Sequence, residues 1–185
     1  MFSLFTSLQC LYAVYVKLKF HAIRRAFQRV MMNPLFWSLP TARAHDREGA
    51  ARDARWHVYP EQAAAGLWTT STDLARFVVE VQQSAIGESN RVLCRTRVRE
   101  MLAPAGVGDF AVGFQISKIG QGWYFQHGGS NWGFRSLIIG HMTKGYGLAV
   151  MTNADQGSPV ANEILRRIQK VYEWDSVAEP VLRGY

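Results

Sequence analysis

Phe125-Gln126-His127-Gly128-Gly129-Ser130-Asn131-Trp132-Gly133-Phe134-Arg135-Ser136 is the stretch on which the reading of this chain turns. An apolar-aromatic run, Trp123-Tyr124-Phe125, leads into it, and a second apolar run starts at Phe134. The glycines between them predict a turn from Gly128 to Gly133 joining two strands. Glycine has no Cβ, so the backbone at such a place can come close to a ligand. The amides that follow can then point at an oxygen that gains charge.

Working outward, the period of two before the turn predicts a strand: Phe110, Val112, Phe114 and Ile116 alternate with smaller or polar neighbours. Further apolar segments follow at 122–127, 134–142 and 146–153. The links between them are short and rich in glycine (Gly120-Gln121-Gly122 and Lys144-Gly145 besides the central one), and short links force antiparallel pairing. A four-segment meander results. The spacing then predicts a helix over 158–174, with Ile164, Leu165, Ile168, Val171 and Tyr172 on one side and Arg166, Arg167 and Lys170 on the other. Its apolar side needs a sheet face to cover, so the fold class is α+β, an antiparallel β-meander covered by a C-terminal helix.

Two helices are expected upstream. Thr69-Thr70-Ser71-Thr72-Asp73 is a hydroxyl-rich start signal with an acid in the first turn, and Leu74, Phe77, Val78 and Val81 form the apolar stripe behind it. A shorter helix is expected over 95–102, burying Val98, Met101 and Leu102, with Pro104 beyond its end. Residues 36–58 read as a polar surface loop.

The front of the chain has another character. Met1 to Val16 carry no charge, and Lys17, Lys19, Arg24, Arg25 and Arg29 follow. Leu4, Leu8, Leu11, Tyr15 and Leu18 fall at helical spacing, so residues 1–35 read as an apolar and basic N-terminal helix, which Asn33-Pro34 breaks. The run is shorter than the ~20 residues a spanning helix needs. It lacks the basic start and small-residue cleavage site of a secretory signal. Residues 1–32 suit packing on the domain, or membrane contact at an interface.

The net charge of +7 is uneven: residues 1–58 hold nine Lys/Arg against three Asp/Glu, the rest twelve against eleven. No nucleic-acid motif accompanies the basic front, so nucleic acid is not an expected partner. Two cysteines, Cys10 and Cys94, imply no disulfide framework, and the five histidines lack metal-site spacing, so no metal or other cofactor is expected.

The motifs together resemble the serine β-lactamase and penicillin-binding-protein superfamily, above all class C β-lactamases and the related serine esterases, over roughly residues 56–175. Ala65-Gly66-Leu67-Trp68-Thr69-Thr70-Ser71-Thr72-Asp73-Leu74-Ala75-Arg76-Phe77 is similar to a segment of that superfamily, and Gly147-Leu148-Ala149-Val150-Met151-Thr152-Asn153 to the strand before its last helix. Between them, His127-Gly128-Gly129 resembles the Lys-Thr-Gly or His-x-Gly triplet beside the nucleophile. The resemblance implies that residues 59–176 are the carboxy-terminal part of a β-lactamase/transpeptidase-like fold, followed by a tail at 177–185. It also implies a substrate-binding role for His127, Gly128, Gly129 and Ser130, with the Ser130 N–H as one half of an oxyanion hole. One such donor contributes roughly 3–4 kcal/mol of transition-state stabilisation in an intact enzyme.

The rest of that machinery is not in this sequence. The superfamily's nucleophile is the serine of Ser-x-x-Lys, where the lysine one helical turn away takes the hydroxyl proton. Ser3, Ser71, Ser130, Ser136 and Ser158 are followed three residues on by Thr, Leu, Gly, Ile and Ala, and no serine here has Lys at that position. Nor has any Tyr or Ser an Asn two residues on, as the second motif requires. By resemblance, then, the expectation is a truncated serine hydrolase of esterase or amidase type, inactive alone, that would take a small-molecule ester or amide substrate once the missing half completes it. The competing expectation is a non-catalytic binding remnant.

Overall fold

The computed structural model describes residues 41–54, 57, 59–61, 65–106 and 108–176. The helix expected in 1–35 and the tail at 177–185 lie outside the described residues.

Helix α1 (Ser71–Ile86) begins as its sequence signal predicts. Thr70 is the cap: its Oγ1 accepts the Asp73 N–H at 3.1 Å and its hydroxyl donates to Asp73 Oδ2 at 3.1 Å. Gly87, at φ 92°, closes the helix, its N–H reaching the carbonyls of Gln83 and Ser84. Helix α2 (Arg95–Leu102) buries Val98, Met101 and Leu102, the residues its period picks out.

Strands β1 (Gln115–Ile119), β2 (Gly122–Asn131), β3 (Phe134–His141) and β4 (Gly147–Thr152) form one antiparallel sheet in the order of the sequence. The meander is there, with two corrections. The first strand does not start near Phe110, which is 55% exposed. Gly113 takes φ 87°, a left-handed conformation that breaks the alternation, and regular pairing starts at Gln115. The second correction concerns the central glycines. Gly128 and Gly129 are not in a turn; both lie inside β2, paired with Leu137 and Ser136. The turn is Trp132-Gly133 alone, a two-residue hairpin in which Gly133 supplies φ 71°.

Side chains alternate across the sheet, and each face has its own core. Phe125 and Ile138 pack with Leu74, Val78 and Val81 of α1, Val98 of α2, and Phe114 and Ile116. On the opposite face Tyr124, Leu137 and Ile139 meet Leu165 and Trp174. Helix α3 (Gly157–Val171) covers this second face with only part of the stripe its sequence suggests, Leu165 and Ile168. Its buried residues are Gly157, Ala161, Leu165 and Gln169, whereas Val171 is 73% exposed and Tyr172 66%. The helix lies close to the sheet at Gly157, where a Cβ would collide with Thr152. Full burial of a leucine such as Leu165 contributes about 2–3 kcal/mol.

The stretch expected as a solvated loop around 36–58 is tied down where it is described. His45 bridges in parallel to Ala154, its N–H donating to the Asn153 carbonyl at 2.9 Å, and Ala44 is fully buried. The segment thus runs along the end of the sheet where the β2–β3 hairpin turns.

Candidate functional site

The site is built on the difference in length between β1 and β2. Pairing of β1 with β2 ends at Gln115–Gln126, while β2 continues beside β3 through His127 to Asn131. Among the described residues no strand pairs with β2 on its outer side beyond Gln126. A two-residue hairpin makes Asn131–Phe134 a hydrogen-bonded pair, and the alternation carries this to Gly129–Ser136 and His127–Ile138. The backbone groups of Gly128 and Ser130 therefore turn the other way, toward the open edge. Of the four residues expected to bind substrate, two thus present backbone to that edge, and the other two present their Cα substituents to the α1-side face.

His127 lies on the same face as Phe125 and is half-buried. Its Nδ1 is 2.7 Å from the Gly128 carbonyl, and a carbonyl only accepts, so Nδ1 carries the proton. Nε2 is then the ring's lone-pair nitrogen. Burial lowers the pKa of His127, and the hydrogen bond to Gly128 opposes that only in part. The ring is neutral at pH 7. The ring thus offers an acceptor and no charge.

The hairpin tip beside Ser130 is held from three directions. The Asn131 side-chain amide donates to the Ala65 carbonyl at 3.0 Å, and Trp68 meets Phe134 edge-on at 5.8 Å between ring centres. These contacts join two of the stretches that carry the family resemblance. From the sequence side of the turn, the Trp132 N–H donates to the Tyr59 hydroxyl at 2.9 Å. The Trp132 ring stacks on His57 at 3.8 Å and lies 4.2 Å from the Arg52 guanidinium.

Asp155 is the third anchor. Its carboxylate accepts from the Gly133 N–H at 3.0 Å and from Arg135 at 3.0 Å, and it pairs with Arg52. Arg135 in turn donates to the carbonyls of Asn131 at 2.6 Å and Phe134 at 2.8 Å. Burial alone would raise the Asp155 pKa, but Arg52, the Gly133 N–H and Arg135 together hold it below its ordinary value. Sequence reasoning missed Arg52, Trp132, Arg135 and Asp155. An arginine after a turn and an aspartate after a strand are ordinary surface residues until the fold brings them within reach of one another.

The Beta-lactamase family model matches residues 28–173, a span that includes every described helix and strand. No curated protein matches the chain. The match covers most of the sequence, and the antiparallel sheet packed between helices is consistent with it: this chain belongs to the β-lactamase family.

Proposed function

We propose that the chain forms the substrate-aligning face of a serine hydrolase of esterase or amidase type. The Ser130 N–H would receive the carbonyl oxygen of an ester or amide lying along the edge of β2 that β1 leaves unpaired. The observation that carries this reading is the length of β2: it outruns β1 from His127 to Asn131, so the Ser130 amide points to an edge that no strand pairs with among the described residues, with its hairpin anchored on Asp155. A donor fixed before the reaction begins needs no reorganisation when charge develops on the oxygen.

The neutral His127 sets the substrate class. Its lone-pair nitrogen accepts a hydrogen bond and offers no charge to a carboxylate, which favours uncharged esters and amides over carboxylate-bearing β-lactams. The nucleophile has to come from elsewhere in a completed enzyme, because no Ser-x-x-Lys is present. By itself the chain should bind without turning over.

Labelling tests this directly. The isolated chain is expected to take up neither a fluorophosphonate nor a labelled penicillin. Co-expressed with the amino-terminal segment of a relative, it should hydrolyse a p-nitrophenyl ester, and His127→Lys should shift preference toward carboxylate-bearing esters. Stoichiometric acylation of a mapped serine in the isolated chain would overturn the reading. A complemented complex that binds the ester without hydrolysing it would favour a non-catalytic binding role.

A further inference from the structure

At the end of the sheet away from the β2–β3 hairpin, a second group of ionisable side chains surrounds His141, the last residue of β3. The ring is 1% exposed, yet its two nitrogens are in unlike situations. Nδ1 accepts the backbone N–H groups of Thr143 at 3.0 Å and Lys144 at 2.9 Å, which fold the β3–β4 turn back on the ring. Both partners are donors, so Nδ1 is bare and Nε2 carries the proton of the neutral ring. Among the described residues Nε2 has no hydrogen-bond partner, and it faces Asp175, whose nearest carboxylate oxygen is 3.8 Å away. Gly122 provides the room for the ring: a Cβ there would lie 2.5 Å from Nε2.

Asp175 ties this end together. It accepts from the Tyr124 hydroxyl and, at 3.1 Å, from the Gln121 N–H, and it pairs with Lys144 at 3.2 Å. Beside it Trp174 stacks on Tyr146 at 5.3 Å and on Tyr124 at 6.1 Å. The groups facing His141 among the described residues come from every neighbouring element. Asp175 comes from beyond α3, Lys144 and Tyr146 from the β3–β4 link, Tyr124 from β2, and the neutral Gln82 of α1 bonds the His141 carbonyl at 2.8 Å.

We infer that His141 is an acid-sensitive pin: a proton arriving at Nδ1 meets two N–H donors, expels both, and frees the β3–β4 turn together with the grip of Lys144 on Asp175. The position of the free lone pair decides the direction. Were Nε2 the bare nitrogen, protonation would complete an ion pair with Asp175 and tighten this end of the sheet. Since Nε2 already holds a proton, the only available site is the one the turn occupies. Burial lowers the His141 pKa, Asp175 opposes this and Lys144 adds to it, so the ring is neutral at pH 7 and takes its proton below its ordinary value of 6.5. This device lies apart from the hairpin edge and does not depend on the hydrolase reading.

Nitrogen-15 NMR of the full chain between pH 7.5 and 4 provides the test. At neutral pH the ring should show the Nε2–H tautomer. As His141 titrates, the amide protection factors of Thr143 and Lys144 should fall by about tenfold or more along the same curve, two hydrogen bonds being lost. In His141→Asn the Oδ1 takes the place of Nδ1 and cannot titrate, so protection at both amides should stay level over that range. An Nδ1–H tautomer, protection that persists while His141 protonates, or the same step in His141→Asn would overturn the inference. Tautomer and protection in the unsubstituted chain decide the matter even if the variant does not fold.

Discussion

Gly133 shows how much a single position of the hairpin carries. It sits at φ 71°, donates its N–H to Asp155 at 3.0 Å, and leaves room for Ala44, against which any Cβ would collide. An alanine in the left-handed region costs about 1–2 kcal/mol from backbone sterics alone. Gly133→Ala should therefore lower stability by at least that much, and more once the Ala44 clash is included, in a urea titration with unchanged m-value. A midpoint equal to that of the unsubstituted chain would show that the turn relaxes without cost. Gly128 and Gly129, the pair that stands out in the sequence, are not left-handed; their place is in the ladder. Two adjacent glycines read as a chain breaker, yet the tight turn one step further on fixes the register through them. His127, Gly128, Gly129 and Ser130 stand together in the sequence, and the structure sets all four in one strand beside β3. Asp155 was not legible at all, because its partners are spread from Arg52 to Arg135.

The contact between α1 and the sheet is decided by another pair of glycines. Gly140 of β3 and Gly147 of β4 are register partners, and both lie under Val78 of α1. A Cβ at Gly140 would be 2.6 Å from the Phe125 ring and 2.8 Å from Val78 Cγ1. Gly140→Ala should overpack this layer and cost about 1–3 kcal/mol in chemical denaturation, with Val78→Ala in the same chain restoring part of the loss. Absence of any rescue would place the strain elsewhere. At this scale the sequence was a good guide where a local signal is complete. The Thr70–Asp73 cap and the apolar stripe of α1 both stand as read, as does the buried edge of α2. It misled where tertiary contact chose between alternatives. On α3 Leu165 is buried and Ile168 packs beside it as expected, but Ile164, Val171 and Tyr172 are left exposed, and Gly157, Ala161 and Gln169 complete the buried face. At the first strand a left-handed Gly113 cut short an alternation that otherwise pointed to Phe110.

For the whole molecule, the two ends of the sheet are each gathered by one aspartate, Asp155 at the β2–β3 hairpin and Asp175 at the opposite end. Both carboxyls titrate below their ordinary value of 3.8: burial would raise them, and their hydrogen-bond donors and cations outweigh it. A depressed carboxylate stabilises the fold above its unfolded pKa and ceases to do so as pH falls through the folded value. His141 has the opposite chemistry but the same sign of effect. Its lowered pKa means that the unfolded chain binds the proton more readily, so stability starts to decline as pH falls below 6.5. Unfolding free energy measured against pH should therefore fall in two stages, a first one below 6.5 that His141 shares with the likewise lowered His127 and that His141→Asn reduces, and a second below 3.8 that it leaves intact. A single acid transition confined to the lower range would contradict the role given to His141.

The bridge between His45 and Ala154 has a bearing on the order in which the molecule assembles. Every pairing within the sheet joins strands that are neighbours in the chain, so each hairpin closes a short loop and can form early. The contact of His45 with Asn153 spans 108 residues instead, and the entropy of closing so long a loop is recovered only when its destination exists. That destination is the end of β4 together with the carboxylate of Asp155, neither of which is in place until the meander has formed. The segment around His45 is accordingly expected to arrive late, on a finished sheet. The hairpin that carries Ser130 should then acquire its last restraints, the Arg52 pair and the stack on Trp132, in that closing step of folding.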